Sequence, residues 1–215
     1  MNLNGIKANF LGDSITEGVG TTAQDKTYHQ LIAKKYDLAE ARNYGISGTR
    51  FARQIKPTAD NPRFDLDFCM RVAEMDSDAD LIVVFGGTND FGHGDAPFGR
   101  FEDRTPDTFC GACHTLMSSL ITKYPEATIV IMTPLHRISE DIPSAGNSLP
   151  LSDYVNMIRK TAEFYSLPVM DLWSNSGIQP RVDVIKEKYC PDGLHPNDAG
   201  HEKMAERIAG FLLAL

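Results

Sequence analysis

Short apolar runs of strand length alternate along the chain with longer stretches whose apolar positions recur every three or four residues. The runs Leu81-Ile82-Val83-Val84-Phe85 and Thr128-Ile129-Val130-Ile131-Met132 are continuous and β-branched, the pattern of strands covered on both faces. Ile6 to Leu11, Leu38 to Tyr44 and Leu167 to Asp171 complete five predicted strands, although Leu38-Ala39-Glu40-Ala41-Arg42 is poor strand composition. Helical periodicity predicts helices over Thr27 to Tyr36, Asp65 to Met75, Pro106 to Tyr124, Ser152 to Ser166 and Asn197 to Leu215, with a short one around Pro180 to Lys188. The last presents Ala199, Met204, Ile208, Phe211 and Leu212 on one face and has Asn197 placed as its N-cap. Strands alternating with helices imply right-handed crossovers and a three-layer α/β/α sandwich. A five-stranded parallel sheet in the flavodoxin-like order 2-1-3-4-5, within one domain spanning 1–215, is expected. Two irregular segments, Phe91 to Arg104 and Pro134 to Pro150, follow strands at their carboxyl ends and are expected to be substrate walls or lids.

The carboxyl ends of such strands are where open α/β sheets place their chemistry. Phe10-Leu11-Gly12-Asp13-Ser14 runs from a predicted buried strand into a turn that exposes a serine hydroxyl there. A free serine is a poor nucleophile and needs a base. His195, in Asp192-Gly193-Leu194-His195-Pro196, is the natural one, and Asp192, three residues earlier, can orient the imidazole. Two further blocks follow strands: Asn43-Tyr44-Gly45-Ile46-Ser47-Gly48 and Gly86-Gly87-Thr88-Asn89-Asp90.

These four blocks, in this order, resemble the SGNH or GDSL-type esterase and lipase superfamily over the whole chain. The resemblance implies an SGNH hydrolase fold and hydrolysis of a carboxylic ester through acyl-Ser14, with Asp192 and His195 completing a triad. It implies that the backbone N–H groups of Ser14 and Gly48 and the side-chain amide of Asn89 bind the oxyanion, and it implies no metal or organic cofactor. The block here reads Gly-Asp-Ser-Ile where the family name has Leu. The G-x-S-x-G elbow of α/β-hydrolases is absent because Thr16 stands at its second glycine, which excludes that neighbouring fold. Asp13 and Asp90 are expected to brace their turns. His93 is placed either against substrate or free in its loop, and His29, His114, His136 and His201 have no partner pattern. Phe91, Phe98 and Trp173 are pocket-wall candidates, with core packing as the default for aromatic residues.

With 215 residues, 42% of them apolar, the chain can bury a self-sufficient core. A net charge of −8 argues against nucleic acid or an anionic membrane as partner. No run of 18 apolar residues exists and the N-terminus carries no signal-peptide pattern, so a cytoplasmic location is expected, with secretion left open for a trimmed chain. Cys110-Gly111-Ala112-Cys113 is formally a redox or half-zinc motif, but it is expected to lie well inside a helix without a second ligand pair, so Cys69, Cys110, Cys113 and Cys190 are read as free thiols. The expected partner is a small-molecule ester, an acetylated sugar first; oligomeric state stays open. The rival readings are a lysophospholipase or thioesterase with the same triad, a catalytically idle carbohydrate-binding module, and a flavodoxin-like electron carrier that fits the architecture alone.

Overall fold

Five parallel strands end level with one another in the computed structural model, which describes residues 1–143 and 149–215. They are β1 (Lys7–Gly12), β2 (Glu40–Gly45), β3 (Leu81–Phe85), β4 (Thr128–Met132) and β5 (Val169–Met170), in the order β2-β1-β3-β4-β5. Gly12 pairs with Gly45 on one side and Phe85 on the other, and Phe85 pairs with Met132. The expected order 2-1-3-4-5 is therefore the observed one. The loops after β1, β2 and β3 consequently leave the sheet side by side. The order reverses between β1 and β3, so these loops flank the crevice of a topological switch point.

Nine α-helices surround the sheet among the described residues: α1 (Ser14–Glu17), α2 (Tyr28–Tyr36), α3 (Phe68–Arg71), α4 (Thr88–His93), α5 (Phe109–Lys123), α6 (Leu151–Phe164), α7 (Leu172–Asn175), α8 (Asp183–Tyr189) and α9 (Asp198–Ala214). Successive strand residues point to opposite faces and bury two separate cores. Leu11, Ile82, Val84, Ile129 and Ile131 face Phe68, Phe109, Leu116, Tyr154 and Ile158 on α3, α5 and α6. Phe10, Leu81, Val83, Phe85 and Val130 face Tyr28, Ile32, Met204, Ile208 and Leu212 on α2 and α9. Each fully buried side chain of this size contributes about 1.5–3 kcal/mol of transfer free energy. The central strands β3 and β4, covered on both faces, must therefore be almost wholly apolar, which is why they were legible as unbroken runs.

Several boundaries differ from expectation, each for a local reason. Asp37 takes the left-handed conformation with φ 54° and closes α2, so Leu38 still belongs to the helix end and β2 starts at Glu40. The predicted helix over Asp65 to Met75 breaks up because the Asp67 carboxylate accepts the N–H of Met70 and starts α3 anew at Phe68; 3₁₀ turns at Pro62–Asp65 and Val72–Glu74 flank it. Thr108 caps α5 by accepting the N–H of Gly111 at 3.1 Å, so that helix begins at Phe109 rather than Pro106. Cys110 accordingly sits in the first turn and not well inside. It is a free thiol, as are Cys69, Cys113 and Cys190. The segment expected to be irregular from Phe91 begins as the end of α4, and its irregular part starts after His93. Of the expected loop Pro134 to Pro150, residues 144–148 lie outside the described residues.

The Asn197 side chain accepts the N–H of Gly200 at 3.0 Å and caps α9, the helix that docks onto α2 and the sheet. Substitution Asn197→Ala is expected to lower stability by about 1 kcal/mol. Urea unfolding would register this as a lower midpoint at unchanged slope.

Candidate active site

The Gly12-Asp13-Ser14 turn is built by a close approach. A Cβ on Gly12 would fall 2.0 Å from the Thr16 hydroxyl oxygen, so only glycine lets β1 turn directly into α1. The Asp13 carboxylate accepts the N–H of Ile15 at 3.1 Å and caps α1, the bracing role expected of it. Burial drives its pKa up to about 6 against that hydrogen bond. Ser14 opens α1, so its N–H has no partner within the helix.

Ser14 Oγ lies 3.0 Å from Nε2 of His195, across 181 residues of chain. Nδ1 of His195 lies 2.7 Å from Asp192 Oδ2. The other carboxylate oxygen, Oδ1, accepts the backbone N–H groups of Leu194 at 2.8 Å and His195 at 2.7 Å. Burial opposes the charge on Asp192, but the backbone and ring N–H groups of His195 and the N–H of Leu194 outweigh it and lower the pKa. The turn is tied to the loop after β4 by Ile138 N–H donating to Gly193 O at 2.9 Å. Serine, histidine and carboxylate thus form an unbroken chain able to pass a proton from hydroxyl to imidazole.

Gly48 and Asn89 are brought to the same end of the sheet from β2 and β3. Gly48 has φ +75°, and a Cβ there would meet the Phe64 ring at 2.5 Å. Its N–H has no acceptor among the described residues. Asn89 Nδ2 donates to Thr49 O at 3.0 Å, which ties α4 to the loop after β2. Asp90 fastens the same two segments, as expected of a brace: it accepts the N–H of Phe51 and of Ala52, both at 2.9 Å. Burial raises its pKa to about 7.

Sequence reasoning missed several neighbours. Glu17 accepts both the N–H and the hydroxyl of Ser47, and Arg63 donates to it at 3.0 Å, so three chain segments clamp the turn before Gly48. Phe64, not Phe91 or Phe98, is the aromatic beside that turn; Phe91 and Phe98 pack on Tyr154, and Trp173 stacks on His136 with centroids 3.8 Å apart. His93 is neither free nor in a loop. It lies one helical turn after Asn89 with Nε2 3.2 Å from Asn89 Oδ1, and Arg50 donates to its Nδ1 at 2.7 Å. The i, i+4 spacing of Asn89 and His93 was the available signal. His29 donates to Thr16 O, and His201 accepts the Tyr28 N–H at 3.1 Å; burial lowers both to about 4.

The model of the GDSL-like lipase/acylhydrolase family matches residues 10–203, a span that contains all four blocks. The chain belongs to that family. A GDSL lipase of Mycobacterium tuberculosis, Rv0518, is 28% identical over 94% of this chain and 79% of its own. A Lactobacillus plantarum protein of known structure is 30% identical with TM-score 0.85, covering 98% of each chain. A GDSL-like lipase structure from Bacteroides uniformis shares the fold at 19% identity and TM-score 0.73, covering 98% of this chain and 97% of that one. Among the described residues of this GDSL-family chain, no helix is long and apolar enough to cross a membrane.

The depressed pKa of Asp192 has a stability consequence with a definite sign. Its contribution is complete above the ordinary carboxylate range of about 4 and disappears as pH falls through the lower, folded-state value. The gap in urea midpoint between the parent protein and Asp192→Asn is therefore expected to narrow as pH drops from about 5 to 2. A gap that stays constant would contradict the assignment.

Proposed function

We propose that this protein is a serine esterase that hydrolyses a carboxylic ester through an acyl-Ser14 intermediate. The observation that carries the reading is the Ser14–His195–Asp192 chain, with contacts of 3.0 Å and 2.7 Å. Ser14 Oγ attacks the carbonyl carbon while His195 Nε2 takes its proton, and Asp192 holds the ring through Nδ1 and balances the imidazolium. The tetrahedral oxyanion accepts from the N–H of Ser14, the N–H of Gly48 and the amide of Asn89. Collapse expels the alcohol, which leaves with the proton from His195. A water then attacks the acyl carbon with His195 again as base, and collapse releases the acid and restores Ser14. Removing one oxyanion donor of this kind commonly costs about 10²–10³ in rate. An intact nucleophile, base and orienting acid at hydrogen-bond distance argue against an idle binding module on the same fold.

For the acyl group we favour a short one, such as acetyl on a carbohydrate or other small molecule.

Ser14→Ala is expected to lower kcat by about 10³ or more while far-UV circular dichroism stays unchanged. A fluorophosphonate should label Ser14 in the parent protein and nothing in the variant. Across nitrophenyl esters from acetate to dodecanoate, kcat/KM should peak at the short end; a peak beyond about eight carbons would point instead to a lysophospholipase or thioesterase.

A further inference from the structure

An asparagine helps an oxyanion only when its nitrogen, not its oxygen, faces the reacting carbonyl. The terminal amide torsion is broad and roughly two-fold, so the side chain by itself does not select the useful orientation. In this protein both ends of the Asn89 amide are engaged. One N–H of Nδ2 donates to Thr49 O at 3.0 Å, and Oδ1 lies 3.2 Å from His93 Nε2.

The direction of the second contact follows from the third member of the chain. Arg50 Nη2 lies 2.7 Å from His93 Nδ1. A guanidinium only donates, so Nδ1 must offer its lone pair and the proton of the neutral ring must sit on Nε2. The ring then has nothing but an N–H to present to Asn89, and Asn89 must answer with its oxygen. Arg50 is itself held, 5% exposed, by Phe64 O at 3.4 Å and Asp65 at 3.7 Å. Burial and the charges of Arg50 and Arg137 lower the pKa of His93 to about 4, so the neutral tautomer persists across the working range.

We propose that Arg50 and His93 are positioning residues for the ester hydrolysis: Arg50 selects the Nε2–H tautomer of His93, and that N–H locks the Asn89 amide with its second N–H free for the oxyanion. The proposal rests on the reading of Asn89 as an oxyanion donor. A histidine that merely stiffened α4 would affect folding stability without selectively affecting kcat.

Kinetics on nitrophenyl acetate for Asn89→Ala, His93→Leu, His93→Gln and the Asn89→Ala/His93→Leu double variant test it. His93→Leu is expected to lower kcat about ten- to a hundredfold with KM within about threefold, since it leaves the donor present but unheld. His93→Gln can accept from Arg50 and donate to Asn89, and should restore kcat to within about fivefold of the parent. The double variant should be no slower than Asn89→Ala within about twofold, because the two residues act as one unit. Parent-like kcat in Asn89→Ala overturns the oxyanion reading and this proposal with it. A large loss in Asn89→Ala beside an unchanged His93→Leu, or fully additive losses in the double variant, overturns the positioning role alone. Nitrogen-15 spectra of the histidine-labelled parent protein give a reading that needs no variant to fold. They should show His93 protonated on Nε2 and bare on Nδ1 from about pH 5 to 8, and the opposite tautomer overturns the proposal.

Discussion

Two backbone N–H groups converge on one buried carboxylate, and the geometry at the end of the sheet depends on it. Asp90 accepts from Phe51 and Ala52 and so fastens the loop after β2 to the helix after β3. Without that clamp the two segments are joined chiefly by Asn89 on Thr49 and by Arg50 on His93. A carboxylate with 4% exposure is costly to keep charged, which is why its pKa is driven up to about 7. The two N–H donors and the nearby Arg50 are what make the position tolerable. The fold thus accepts an unfavourable burial in order to hold two loops in a fixed relation, a common arrangement at functional sites.

The same division of labour recurs around the serine turn. Asp13 and Asp90 resemble catalytic acids in the bare sequence, each adjacent to a residue of the constellation. Both turn inward and hold backbone. Asp192 faces the imidazole and has its second oxygen occupied by Leu194 and His195 N–H groups. What separates the acids is burial combined with the partner each meets. Burial wins at Asp13 and Asp90 and raises them; hydrogen bonding wins at the more open Asp192 and lowers it.

The sheet order and the four site blocks were legible because each rests on a local signal: continuous apolar runs for β3 and β4, glycine-bearing turns at strand ends, and a Pro-bracketed histidine. What was not legible depends on side chains meeting across distant segments. Glu17 reads as an ordinary acidic helix residue, yet it clamps Ser47 with help from Arg63. Phe64 lies in a stretch rich in Pro and polar residues with no periodic pattern, yet it covers Gly48. Helix boundaries slipped wherever a single cap decided them, as Asp67 and Thr108 did. Such caps are worth about 1 kcal/mol and leave little trace in a hydrophobic pattern.

The contact between Ser14 and His195 closes a loop of 181 residues. The histidine is delivered by a turn that leads directly into the cap of α9, and α9 reaches its place only by docking on α2 and the sheet. During synthesis, a chain that has completed all five strands but not α9 already carries its serine turn, yet has no docked helix to seat His195. On the proposed mechanism, attack on an ester therefore waits for α9 to dock, and a locally unravelled α9 would abolish it.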